Sequence, residues 1–353
     1  GQMHTGINKM ETENKMAYTP INKLILQMSA PPLISMFLQY SYNLVDSMFV
    51  AKISEQALAA VSLSFPITTL MNALSVWIGV GVNVLIAGYL GQNRQKKADS
   101  AATLGLLMSV LVGTAVNIAA LFVIRPYYAA FTKNREIFEY GLSYMQVCVY
   151  MQVPNMVHIA IQKMLQATGN MLAPMWFQIA GVLFNFVFDP LLIFGIGPFP
   201  EMGIAGAALG TLISRTAEFL LTFIYIFFID RRLGLRVKNI LKNPSSDFYR
   251  NYFHLGAPVL VSDGQLGLGS NLVSVVLGHM GAAVVAANSV CMVVERMFSV
   301  VISGVSNASS IITGSTLGRG EIEKACVQGE TFYLLSIVFG ALAALMMYAV
   351  GPM

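Results

Sequence analysis

Charge is what this sequence has least of. Asp, Glu, Lys and Arg make up 11% of its 353 residues, against about 25% in an ordinary soluble domain. That is too little to wet the surface of a water-soluble protein of this length, so soluble enzymes and soluble binding modules are excluded. Cysteine is also scarce. Cys148, Cys291 and Cys326 are scattered, odd in number and without CxxC spacing, so neither a disulfide framework nor a cysteine metal site is expected. There are four histidines; His158 stands alone on an apolar stretch and reads as a satisfied core residue rather than a ligand. Short alternating strands of the kind that build outer-membrane barrels are missing. No cleavable leader is expected either, because a polar, mixed-charge arm precedes the first apolar run and further runs follow it. The net charge of +4 forms no patch that would call for a nucleic-acid partner.

What the chain has instead is apolar length. Hydrophobic residues reach 56%, in runs of about twenty or more, the length an α-helix needs to cross about 30 Å of hydrocarbon. Nine spans are predicted, at 24–50, 57–88, 101–125, 138–163, 172–194, 203–229, 252–279, 284–316 and 326–350. The one long connection carries Arg231, Arg232, Arg236, Lys238, Lys242 and Arg250 around an Asn243-Pro244-Ser245-Ser246 turn, which marks an inter-lobe linker. With the N-terminus inside, the same side gains Lys9, Lys15, Lys23, Arg94, Lys96, Lys97, Arg319 and Lys324, while the opposite loops hold only Lys52, Arg125, Lys133 and Arg135. The positive-inside rule then puts the N-terminus in the cytoplasm.

An internal repeat organises the spans. Ala30-Pro31 recurs as Ala257-Pro258, and Leu90-Gly91 with Lys97-Ala98 recurs as Leu317-Gly318 with Lys324-Ala325, each 227 positions later; Asn43-Leu44-Val45 recurs as Asn271-Leu272-Val273, 228 later. Both copies start inside, as in transporters whose halves are parallel repeats. The expected plan is a flexible arm at 1–20, a six-helix bundle at 21–229, a cytoplasmic linker at 230–251, and the first three helices of a second bundle at 252–353. Nine of an expected twelve helices are then present, in a C-terminally truncated 6+6 protein.

Acids inside such spans are costly, by about 2.5–3.5 kcal/mol or more at a helix centre, and each is a functional candidate. Asp46 follows Tyr42 and Asn43 by four and three residues, so a carboxylate, a phenol and an amide share one helix face. Asn185 and Asp189 are likewise i,i+4, just before Pro190. Both acids lie a few residues short of the outer ends of spans running the same way, which predicts matched depth. Two carboxylates in one low-dielectric site share a proton or hold a cation, and asparagine oxygens suit a small hard ion such as Na+. Glu218 reads as an ion pair with Arg215 at i−3. Asp263 is expected near the second bundle's lining, and Glu295 and Arg296 have no assigned place. Pro31, beside Pro32, removes a helical donor and can kink the first span.

These residues resemble the MATE family of multidrug and toxin extrusion antiporters, of the bacterial and archaeal type related to the DinF branch. The resemblance rests on Pro31, Gln39, the Asn-Leu-Val-Asp ending at Asp46, Gln166-Ala-Thr-Gly-Asn170, Asn185-x-x-x-Asp189-Pro190 and Gly203-x-x-Gly206-Ala-Ala-x-Gly-Thr211, and covers roughly residues 20–353. It implies an all-α polytopic protein of two six-helix bundles that face a central cavity and exchange access by rocking. It further implies that Asp46, Asn185, Asp189 and Thr211 line a cation site, with Gln39 and Tyr144 beside Tyr42 and Asn43 as polar neighbours, and with Pro31 as the bending point. The sequence departs from the family in lacking the last three helices and a clear acid at the second-lobe cation position, which favours coupling through the first lobe.

The expected activity is secondary antiport, with amphipathic or cationic compounds leaving in exchange for Na+ or H+. No enzyme chemistry and no cofactor beyond the coupling ion are expected. The partners are the lipid bilayer of the cell's inner (plasma) membrane and small substrates, and the chain is expected to act as a monomer. The alternative is a lipid-linked oligosaccharide flippase of the same superfamily, which would carry a more basic cavity. An intramembrane aspartyl protease is set aside because the YD and GxGD settings of its paired acids are missing. A DDxxD prenyl-transfer site is missing too.

Overall fold

The computed structural model describes residues 20–230, 233 and 246–352, apart from certain side chains within helices, that of Asn43 among them. The expected N-terminal arm up to residue 19 and residues 231–232 and 234–245 of the expected linker lie outside the described residues. What is described is helical throughout, in the order α1 (Ile21–Ile53), α2 (Glu55–Gly91), α3 (Gln95–Phe131), α4 (Arg135–Tyr150), α5 (Gln152–Ala167), α6 (Leu172–Phe194), α7 (Ile204–Ile224) with a π-helical turn at Tyr225–Ile229, α8 (Ser246–Met280), α9 (Ala282–Gly318) and α10 (Ile322–Val350). Six stretches of the described residues are long and apolar enough to cross a membrane.

Every predicted span coincides with helix, but the fourth is divided. Tyr150 ends α4 and Gln152 begins α5, because Pro154 has no N–H for the carbonyl of Tyr150 and its ring crowds the preceding turn. Pro31 and Pro32, by contrast, lie inside a continuous α1. Caps set other boundaries. Ser54 Oγ accepts from the amide of Ala57 at 3.1 Å to open α2, and Asn134 Oδ1 accepts from Glu136 at 3.0 Å to open α4.

Packing between helices relies on small residues, as expected where lipid supplies no hydrophobic drive for association. Gly141 lies under the ring of the fully buried Tyr128, whose hydroxyl donates to Ala60 O at 2.9 Å. Val82 and Ile86 of α2, Ala102 of α3 and Ile161 and Met164 of α5 form one apolar core; Leu24 and Met28 of α1, Ile311 and Ile312 of α9 and Phe332 of α10 form another.

The sequence repeat is met in space where α2 crosses α9. A Cβ on Gly91 would stand 3.0 Å from Gly318 Cα and collide with Ser315 O; one on Gly318 would stand 3.0 Å from Gly91 Cα and collide with Gly88 O. Gly88 and Ser315, like Gly91 and Gly318, are 227 positions apart. The turns that follow match as well. Asn93 and Gly320, the same interval apart, both have positive φ, at 57° and 82°, and their amides donate back to Leu90 O and Leu317 O. On the outer faces of α8 and α10, Leu266, Leu272, Leu334 and Tyr348 are exposed.

Candidate functional site

The hairpin of α6 and α7 fixes the first acid. Gly195 takes the left-handed conformation (φ 66°) that ends α6, and Met202 and Gly203 fold back to donate to Leu192 O and Ile193 O at 2.9 and 3.2 Å. From there α7 runs tightly down α6. A Cβ on Gly206 would come within 2.5 Å of Leu192 O, and one on Gly210 would overlap the carboxylate of Asp189. Gly206 and Gly210 therefore form a close-packing stripe that leaves room for Asp189, which is fully buried together with Asn185.

From α1, Tyr42 reaches across and its buried hydroxyl donates to Asp189 Oδ2. The same phenol lies in hydrogen-bonding reach of the Thr211 hydroxyl, which itself donates to Ala207 O at 3.1 Å. One turn beyond Tyr42, the carboxyl of Asp46 meets that of Asp189 at hydrogen-bonding range. Tyr144 of α4, beside Cys148, lies within electrostatic range of both acids. Four helices thus converge, and Asp46, Asp189, Asn185, Thr211, Tyr42 and Tyr144 form one cluster.

Three buried oxygens of that cluster, Asp46 Oδ1, Asn185 Oδ1 and Asp189 Oδ1, have no hydrogen-bond partner among the described residues. Buried acceptors are rarely left so, and each unsatisfied group costs about 1–3 kcal/mol. Oxygens of this kind suit a hard cation, or a proton shared between the carboxyls.

The other sequence-predicted residues are placed differently. Gln39, half-buried on α1, shares the face of Tyr42 and Asp46, and among the described residues no hydrogen bond ties it to the two acids. Pro31 lies lower on α1, where Gly304 of α9 packs close: a Cβ there would stand 3.3 Å from Ser29 O. Asp263 lies half-exposed on α8, and Glu295 and Arg296 are exposed on α9. Glu218 does pair with Arg215, at 3.4 Å, but it also meets His158 Nε2 at 3.1 Å. That second contact was missed in the sequence, since nothing local joins α5 to α7. A link between α5 and α9 was missed for the same reason: Lys163 Nζ donates to Asn307 Oδ1 at 3.1 Å, and Asn307 Nδ2 donates to Gln166 Oε1 at 2.9 Å.

Comparison with known proteins agrees with this architecture. A family model described as MatE matches residues 31–191 and 265–352. The chain is 25% identical over 331 residues to a FAD transporter of Shewanella oneidensis, covering 94% of this chain and 72% of that protein. It is 23% identical over 288 residues to the multidrug export protein MepA of Staphylococcus aureus, covering 81% of this chain and 62% of MepA. The chain therefore spans between three-fifths and three-quarters of the length of these relatives. A solved outward-facing multidrug resistance MATE family transporter superposes with a TM-score of 0.88 at 24% identity, over 96% of this chain and 74% of that one.

Proposed function

The chain belongs to the MATE family of membrane transporters, and on that premise we propose that it is a secondary antiporter exporting small amphipathic or cationic compounds in exchange for Na+ or H+. The observation that carries this reading is the meeting of Asp46 and Asp189, from separate helices, where one oxygen of each and that of Asn185 are buried without a hydrogen-bond partner among the described residues. An inward-moving cation satisfies those oxygens and favours one conformer; substrate favours the other, so each displaces the state the other needs. Tyr42 and Thr211 hold the acids in place, Asn185 supplies a neutral oxygen, and Tyr144 closes the cluster from α4. Pro31 leaves a helical carbonyl free and serves as the point where α1 bends.

In this reading the protein lies in the plasma membrane with its N-terminus in the cytoplasm. The likeness to a FAD transporter adds flavin nucleotides to the compounds worth testing. The flippase alternative is not favoured: the cations Lys163 and Arg215 within the first bundle are held by Asn307 and Glu218.

The test is efflux from reconstituted vesicles with Na+ and pH varied independently. Asp46→Asn and Asp189→Asn should each abolish cation-driven export while the protein inserts in normal amounts. Normal cation-driven export by both variants overturns the reading.

A further inference from the structure

A second group of ionisable side chains lies deeper in the same bundle. Glu218 and His158 are 1% and 3% exposed at the side chain; Arg215 reaches them from a half-buried position. Gly181 of α6 makes the space, since a Cβ there would overlap the Glu218 carboxyl. On α7, Thr211, Arg215, Glu218, Thr222 and Tyr225 follow one another at spacings of four, three, four and three, so they line one face. At 1.5 Å per residue that face runs about 10 Å from the cation cluster to Glu218 and about 20 Å to Tyr225. There Asn170 Nδ2 donates to Tyr225 Oη at 2.9 Å and to Asp230 Oδ2 at 3.2 Å, at the end of the helix.

The hydrogen bonding around His158 fits two protonation states. Thr222 Oγ1 lies 2.5 Å from the backbone carbonyl of Glu218 and 3.1 Å from His158 Nδ1. A threonine hydroxyl has one hydrogen to give and lone pairs to accept with. When it donates to the carbonyl, Nδ1 must be the donor to it, and Nε2, 3.1 Å from Glu218 Oε2, carries the second proton of an imidazolium. When it turns to donate to Nδ1, the imidazole is neutral and Nε2–H still meets Glu218. The two arrangements differ by one proton and one hydroxyl rotation; Thr222 partners Nδ1 in both, while Nε2 stays at ion-pair distance from Glu218 Oε2. A static ion pair between Arg215 and Glu218 needs neither the histidine nor the threonine.

We propose that His158, Glu218, Arg215 and Thr222 form a second proton-binding site, which passes protons between the Asp46–Asp189 pair and the Asp230 end of α7. This deepens the antiport reading and rests on it, with H+ as the coupling ion. Loading puts a proton on His158 Nδ1 and turns Thr222 to the Glu218 carbonyl; the cluster changes from neutral (Arg215 positive, Glu218 negative) to one net positive charge. Release breaks the Nδ1–H bond, gives the proton to water at the Asp230 end, and turns Thr222 back. Among the neighbouring helices, α4 brings Cys148, within electrostatic range of Arg215, and Tyr144. On its facing stretch α6 brings Gly181, and on α5 Lys163 is engaged with Asn307.

The test pairs transport with spectroscopy. Glu218→Gln and Thr222→Val in vesicles should lower proton-driven export about tenfold or more, leave substrate counterflow within about twofold of wild type, and recover with Thr222→Ser. In the wild-type protein labelled at histidine, the His158 ring nitrogens should pass from the neutral to the doubly protonated form as the cluster is loaded by acidification. A His158 locked in one form throughout, or wild-type proton-driven export by Glu218→Gln and Thr222→Val, overturns the proposal. If Asp46→Asn and Asp189→Asn still abolish export, only this inference falls; if they too export normally, the antiport reading falls with it.

Discussion

Gly91 and Gly318 sit face to face where α2 crosses α9, each within a carbon's width of the other's backbone, so that a Cβ on either would stand 3.0 Å from the Cα opposite. They are also the same residue of the two sequence copies, 227 positions apart. The crossing is thus a local two-fold, closed only because neither side carries a side chain.

Gly318→Leu should force α2 and α9 apart, because the clash is with backbone that cannot turn aside. Overpacking of this kind costs about 1–3 kcal/mol. Spin labels at the loop after each helix should report a longer separation than in wild type, and an unchanged distance would show that the helices do not meet as described.

Gly210→Ala should mimic loss of the acid it faces. The added methyl overlaps the carboxylate of Asp189 and must displace it from Tyr42, so cation-driven export should fall as it does in Asp189→Asn, with insertion unchanged. Export at the wild-type rate would show that Asp189 has slack.

Tyr42→Phe removes the donor to Asp189 and leaves the rest of the cluster in place. A hydrogen bond to a charged group is worth about 1.5–3 kcal/mol, so the cation concentration giving half-maximal export should change about tenfold or more. The maximal rate of substrate counterflow should hold. Titrating Na+ and pH separately measures this.

Asn307→Leu cuts both hydrogen bonds that tie α5 to α9 and leaves the Lys163 ammonium without its amide partner. The loss should be about 1–3 kcal/mol or more, since the stranded group is charged. It should appear as a lower thermal midpoint, and Lys163→Met in the same background should restore part of it.

The helical fold was legible because apolar runs of membrane length leave few alternatives, and the pairing of Asp46 with Asp189 because both acids stood at the same depth in parallel spans. Tyr42 was legible from its i−4 position alone. What could not be read were the contacts between distant helices. His158 looked like an isolated polar residue and Glu218 like half of a local pair, because the bond joining them runs from α5 to α7 across a space cleared by Gly181. The division of the fourth span was also missed: Pro154 breaks the helix, and Gln152, Asn155 and His158 around it lower the local hydropathy, a polar signal that the apolar residues between them masked. Glycines were visible as letters, and only the coordinates showed which acid each one accommodates.

Pro31 and Pro32 lie about fifteen residues below Asp46 on an otherwise unbroken α1, which makes a lever about 20 Å long at 1.5 Å per residue. A bend of about 20° at the base would swing the tip about 7 Å, more than enough to pull Asp46 and Tyr42 off Asp189. If α1 bends there, as proposed, the rigid upper arm would convert a modest hinge movement near Gly304 into the making or breaking of the entire carboxylate cluster, with no rearrangement required in α6 or α7.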